Sequence, residues 1–368
     1  MLKVSTIVGA RPQIIKAAVV SRAFQNTGAG RIEEFIVHTG QHYDEAMSQI
    51  FFDQLGLARP RYNLGIGSGS HGKQTGRMLM AIEEVLIQEK PGCVLVFGDT
   101  NSTLAGALAA AKLHIPLAHV EAGLRSWNRN MPEEVNRVLT DHLANLLFAP
   151  TETAVRNLAN EGITSGVHLI GDVMQDAIAE YARVVDECSS FSRSLGLQTR
   201  EYLLVTVHRA ENTDDLERLS SIVKAIQKLA EKDTIVWPVH PRTRQRLNAL
   251  QAELPNVRLI APVGYLEMIS LERNADVVLT DSGGVQKEAR WLQVPCVTLR
   301  DETEWVETLA NGWNQLAGVK PERIIAAVMQ ARQKRNGHLP SQDDLVGPRA
   351  ASRIVEQIAI AGTVSLAP

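Results

Sequence analysis

Short runs of Val, Ile and Leu recur along the chain and alternate with longer segments in which apolar residues return every three or four positions. Continuous apolar runs mark strands buried on both faces, and the longer period marks amphipathic helices. The alternation therefore predicts right-handed βαβ units around parallel sheets. In the first half the predicted strands are 2–8, 33–39, 93–99, 115–121, 146–150 and 167–171, enough for one sheet. Between them, NSTLAGALAAAKL at 101–113 reads as an alanine-rich helix after a polar cap, and PEEVNRVLTDHLAN at 132–145 as a helix opening on proline and glutamates. The stretch 186–200, with its serines and glycine, reads as a connection. The pattern then restarts, with strand segments at 202–212, 234–240, 256–261, 275–281 and 295–300.

A chain of 368 residues exceeds one ordinary core. The expectation is an α/β protein of two Rossmann-like, doubly wound domains, 1–171 and 172–346, with a last helix over 347–362 packing back on the first. Open sheets of this kind bind ligands outside the carboxyl ends of their strands, so two such domains facing across a cleft would carry the chemistry there.

Composition narrows the partners. No apolar run approaches the ~20 residues that a membrane helix needs, and MLKVSTIVGARPQ reads as a first strand and not a signal peptide, so a soluble, cytoplasmic protein is expected. Cys93, Cys188 and Cys296 are far apart and lack metal-ligand spacing, so neither disulfides nor a metal site are indicated. A net charge of −3 leaves no basic footprint for nucleic acid, which points to small-molecule ligands.

Several motifs fall where strands end. In GARPQIIKAA, 9–18, Gly9 ends a strand, Pro12 suits a first helical turn, and Arg11 and Lys16 lie near the helix start. This is a phosphate site or a plain turn before a surface helix. DSGGVQKEA, 281–289, repeats the idea, with Ser282 as N-cap, Gly283 and Gly284 allowing close backbone approach, and Glu288 placed to accept hydrogen bonds from ribose hydroxyls. GSGSHGKQ, 67–74, has P-loop glycine and lysine offsets but ends on glutamine, and reads instead as a mobile loop. Asp99 and Glu121 each end a strand, and Glu133 opens the helix that follows. Strand-end carboxylates gathered at one sheet edge raise one another's pKa toward values useful for proton transfer, although Glu133 and Glu134 also suit a bland role at a helix N-terminus. His208, with Arg209 and Glu211, and His240, with Arg242, end strands of the second half.

Taken together, G-x-R-P near the start, GDT, HVEAGLR, PEEVNR, GDVMQDA, VTVHRAEN, DSGGVQKEA and RDETEW at 300–305 resemble the non-hydrolysing UDP-N-acetylglucosamine 2-epimerase family over essentially the whole chain. The resemblance implies the glycosyltransferase-B-type fold and a UDP-amino sugar substrate, with no metal or nicotinamide cofactor and a homodimer as the common state. It assigns UDP binding to Arg11, Ser282, Gly283, Gly284 and Glu288, brings His208 to the phosphates, and makes Asp99, Glu121 and Glu133 the proton-transfer carboxylates with Lys16 as electrostatic helper. His240 and Arg242 join the substrate side. Glycosyltransferases of the same fold, a hydrolysing epimerase and a silent sugar-nucleotide sensor are the rival readings; the carboxylates argue against the first and last.

The chain departs from the commonest members at Gly9-Ala10-Arg11-Pro12-Gln13, where GTRPE is usual, at His240-Pro241-Arg242-Thr243, and at Trp305 and Val306. These variants look like the branch acting on UDP-2,3-diacetamido-2,3-dideoxy-glucuronate, where Arg242 would suit a uronate. For the family's second, regulatory nucleotide site, Gln41 matches and Tyr43, Asp44 and Lys73 differ.

Overall fold

The computed structural model describes every residue except 28–31, 42–51, 53, 188–189, 304, 310–311, 335–348 and 366–368. Cα packing divides the chain into two compact units, Met1–Ala177 with Gly347–Pro368, and Ile178–Val346.

The first unit is built on β1 (Leu2–Val8), β2 (Ile32–His38), β3 (Tyr62–Asn63), β4 (Cys93–Phe97), β5 (Leu117–Val120), β6 (Leu146–Ala149) and β7 (Val167–Leu169). All pair in parallel, in the order β3-β2-β1-β4-β5-β6-β7. The short edge strand β3 was not expected: two residues, flanked by polar and glycine positions, carry no period to read. The central strands are wholly buried, as their unbroken apolar runs require. Ile7, Val37, Val94 and Val96 pack against Met78, Ile82 and the alanines of helix Asn101–Lys112. GSGSHGKQ is not a loop throughout, because His71 begins a long helix, His71–Glu89, and Gln74 is buried in its first turn. Helix Ala350–Ser365 packs on helix Arg11–Thr27, and the Arg349 and Ala351 N–H groups donate to the Asp176 carboxylate at 3.0 and 2.9 Å.

The second unit holds β8 (Tyr202–Thr206), β9 (Thr234–Pro238), β10 (Val257–Ile260), β11 (Val277–Thr280), β12 (Cys296–Thr298) and β13 (Asn314–Leu316), parallel in the order β10-β9-β8-β11-β12-β13. Its core gathers Leu203, Val205, Ile226, Trp237, Leu279 and Val328. Both sheets reverse strand order beside their first strand, between β1 and β4 and between β8 and β11. In open α/β sheets such reversals are the switch points, outside the carboxyl ends of the strands, where ligands bind. Cys93 and Cys296 are buried and unbridged, and Cys188 lies outside the described residues. Among the described residues no helix is long and apolar enough to cross a membrane.

Candidate active site

In the first unit the strand-order reversal brings the ends of β1, β4 and β5 together. Gly9 follows β1, and a Cβ there would meet Thr39 Oγ1 at 2.1 Å and Ser102 Oγ at 2.2 Å, so packing alone demands glycine. Arg11 and Pro12 open the helix Arg11–Thr27, and burial lowers the Arg11 guanidinium pKa from its ordinary value. Gln13 is a hub. Its Oε1 accepts from the N–H of Gly9 and Ala10 at 2.8 and 3.0 Å, and its Nε2 donates to the Phe97 carbonyl at 2.8 Å and to the hydroxyls of Thr100 and Thr103. A glutamate, usual at this position in the family, lacks the Nε2 donor that ties β1 to β4 here.

Lys16, one turn further along, is buried and ion-paired with Glu121. Glu121 follows β5 and is 7% exposed. Its backbone is left-handed, φ +72°, an uncommon and strained state for a residue with a Cβ, and the N–H groups of Glu121 and Ala122 both donate to the Phe148 carbonyl to hold it. Gly98 also has positive φ, and a Cβ there would lie 3.3 Å from Glu121 Oε2, so the β4 turn forms a floor under the Lys16–Glu121 pair.

Asp99, the next residue, accepts a hydrogen bond from Arg137 Nη2 at 2.5 Å. Burial pushes the Asp99 carboxyl above the usual range; Arg137 and Lys16 pull it down, and the charges of Glu121 and Glu133 push it further up. Asp99, Glu121, Glu133 and Lys16 therefore share one electrostatic neighbourhood. Glu133 is exposed in the first turn of helix Pro132–Leu143, while its neighbour Glu134 is buried. Glu134 accepts from Ser126 N, Ser126 Oγ and Trp127 N, each at 2.9 Å, and pairs with Arg137. It shapes the loop in front of the helix.

Beneath this edge, His119 links the Gly98 carbonyl through Nε2 to Asp141 Oδ1 through Nδ1, each at 2.7 Å. Asp141 also accepts from Gly123 N–H and Arg125 Nη1. Burial raises the Asp141 carboxyl, but His119 and Arg125 more than offset it, and the net shift is downward. Sequence reasoning missed Gln13, His119, Arg137 and Asp141. All four lie in or beside the recognised motifs, yet their partners are remote in sequence.

In the second unit, Asp281 ends β11 fully buried. It accepts from the N–H of His208 and Arg209 at 3.0–3.1 Å and from Asn212 Nδ2, drawing the end of β8 onto that of β11. His208 is 48% exposed, its Nδ1 3.5 Å from Asp281 Oδ1. Ser282 caps helix Gly283–Trp291, accepting from Val285 N–H. A Cβ on Gly284 would meet nothing closer than Ser282 Oγ at 3.8 Å, and its φ is not positive. The fold does not require glycine there, and the bare backbone leaves the helix N-terminus open to an anion. Glu288 lies buried further along the same helix. His240 caps helix Pro241–Ala249, its Nδ1 accepting from Arg242 N–H at 3.3 Å. The exposed Arg242 guanidinium pairs with Asp214 at 2.5 Å. Lys287 sets its ammonium over the Trp305 ring, 3.6 Å from the centroid, which gives the tryptophan of RDETEW a partner; Glu304 of that motif lies outside the described residues.

At the proposed regulatory positions, Gln41 Oε1 accepts from Ser102 N–H and Oγ at 3.0 and 2.6 Å; Tyr43 and Asp44 lie outside the described residues.

The family profile described as UDP-N-acetylglucosamine 2-epimerase matches residues 25–359. The chain belongs to that family. A UDP-N-acetylglucosamine 2-epimerase homolog of Methanococcus maripaludis is 56% identical over 88% of this chain and 91% of its own. The UDP-2,3-diacetamido-2,3-dideoxy-D-glucuronate 2-epimerase of Pseudomonas aeruginosa is 50% identical over 97% of this chain and 99% of its own. Among solved structures, the UDP-GlcNAc 2-epimerase of Methanocaldococcus jannaschii in complex with UDP-GlcNAc and UDP superposes with a TM-score of 0.89 at 46% identity, covering 98% of this chain and all of that one. A 2-epimerase of this family is an isomerase, and its glycosyltransferase-B-like fold with two Rossmann-like parallel sheets is the fold described above.

Proposed function

We propose that this chain inverts C2 of a UDP-2-acetamido sugar without hydrolysing it. A carboxylate removes the C2 proton while the C1–oxygen bond breaks toward UDP, leaving a C1=C2 double bond. UDP oxygen then re-adds to C1 on its original face, and a second carboxyl delivers a proton to the opposite face of C2. The observation that carries this reading is the gathering of Asp99, Glu121 and Glu133 with Lys16 at one strand edge. Two faces need two proton carriers, and each contributes ~10²–10⁴-fold. Asp99, Glu121 and Glu133 are the carriers between which these two roles are divided, with Lys16 as electrostatic helper.

In the same proposal Ser282, Gly283, Gly284, His208 and His240 of the 172–346 domain take the diphosphate of UDP, Glu288 its ribose and Arg242 the sugar side, and Arg11 is assigned to UDP binding as well. The 1–171 domain supplies the acid/base groups. The enzyme works as a cytoplasmic homodimer without metal or nicotinamide, and its manno product feeds surface polysaccharide. The sugar is N-acetylglucosamine or the diacetamido glucuronate, since relatives named for each match at 48–50% identity.

The test is an incubation in D₂O with each of the two gluco-configured nucleotides, followed by proton NMR. Deuterium at C2 of a manno nucleotide, with UDP still attached, is the expected outcome, and the faster substrate names the sugar. Accumulation of free UDP and free sugar would overturn the non-hydrolysing reading.

A further inference from the structure

Below Glu288 the second unit buries another acid that the reaction does not use. Glu272 stands on helix Tyr265–Asn274, which packs against helix Gly283–Trp291, and it is 0% exposed. Among the described residues, neither of its carboxyl oxygens meets an N–H or O–H donor. The neighbouring group is the Glu288 carboxyl itself. Two carboxyl oxygens form a hydrogen bond only when one carries a proton, and an isolated ionised carboxylate at such depth is prohibitively costly.

Among the described residues, burial and Glu288 are what act on the Glu272 carboxyl, and no cation is among them. Tyr265, seven positions before Glu272 and so on the same helix face, turns toward Glu288, and Tyr181 stacks edge-on against it at 5.8 Å. Cys296, on β12, is a neighbour of Glu272, and burial pushes its thiol up to about 12. Arg273 donates to the Ala182 carbonyl, and Lys287 lies over Trp305.

We infer that Glu272 is a positioning residue for nucleotide binding: it holds a proton that it donates to Glu288, so that the pair shares one proton and Glu288 keeps its outer oxygen aimed at the ribose hydroxyls. The inference rests on the reading that Glu288 takes those hydroxyls. Burial first, and then the Glu288 charge, pushes the Glu272 carboxyl well above the usual carboxylate range, in keeping with a retained proton. When alkali removes it, two buried carboxylates face each other and Glu288 is driven off its position.

The test uses the full chain and UDP alone. An infrared difference spectrum at pH 7 between the wild type and Glu272→Gln should show the carbonyl stretch of a neutral carboxylic acid, present only in the wild type; its absence overturns the inference. By calorimetry, Glu272→Gln, whose amide donates at every pH, should bind UDP within about twofold of the wild type at pH 7. It should also lack the wild type's alkaline weakening, and since uridine titrates identically in both, that difference belongs to the protein. Glu272→Leu, which offers no donor, should bind about tenfold more weakly. Equal alkaline weakening in wild type and Glu272→Gln would sink the inference. Glu288→Gln separates the two claims: unchanged UDP affinity there removes the ribose reading while leaving the infrared band to stand or fall by itself.

Discussion

Glu121 concentrates the physical peculiarities of the first unit: a buried carboxylate, a lysine partner and a left-handed backbone on a residue that has no conformational licence for it. Strain of this kind costs ~1–3 kcal/mol and persists only where surrounding bonds over-determine it, here the double donation to Phe148 and the floor formed by Gly98. Glu121→Gln should leave UDP binding within a few-fold of the wild type while lowering C2 proton exchange into D₂O by at least about 10²-fold, the contribution typical of a proton carrier. Full exchange activity in that variant would remove Glu121 from the chemistry. Glu134 shows the opposite case. Acidic and adjacent, it spends its oxygens on Ser126, Trp127 and Arg137 and organises the loop.

At the level of helices and strands, the N-terminus of Gly283–Trp291 is the feature best matched to a diphosphate. Ser282 satisfies the Val285 N–H, and Gly284 leaves backbone bare without steric need from the protein itself. Gly284→Val should fold with little loss of stability, since its Cβ meets open space, and yet bind UDP at least about tenfold more weakly, because the branched side chain would occupy the anion's place. Thermal melting and calorimetry on one preparation read both halves; unimpaired UDP affinity would move the diphosphate elsewhere. Most strand positions were legible from unbroken apolar runs. β3 and β13 were not, being two and three residues long, and the loop expected over 67–74 takes in the first turn of the helix from His71, whose polar residues and glycine precede the apolar period that begins at Met78.

For the molecule as a whole, buried acids set a pH dependence whose sign follows from linkage. Glu34 on β2 is raised by burial, only partly offset by hydrogen bonds from Ser21 and Thr6. Its folded state holds the proton more tightly than the unfolded chain, whose glutamates titrate near ~4.3. Its stabilising contribution is complete below that value and is lost as pH rises toward the raised folded one. Glu34→Gln should therefore show a shallower fall of unfolding free energy with pH across that window in urea titrations, and identical slopes would dismiss Glu34 as a source. Asp141 works in the reverse sense: lowered in the fold, it gives stability that disappears as pH falls through its folded value.

Fold class, the two sheets and the strand ends that carry the motifs could be read without coordinates, because burial on both faces and helix capping are local demands written into adjacent residues. The proton-transfer candidates could be named as well, Asp99 and Glu121 as strand-end acids and Glu133 as an acid at a helix start, each in a recognisable motif. Who neutralises whom could not be read. Lys16 meets Glu121 across 105 positions and Arg137 meets Asp99 across 38, and Glu272 reaches Glu288 from a different helix. Those pairings, and the protonation states that follow from them, depend on dielectric surroundings and on side chains brought together by parallel crossovers, and so exist only once the sheets have assembled.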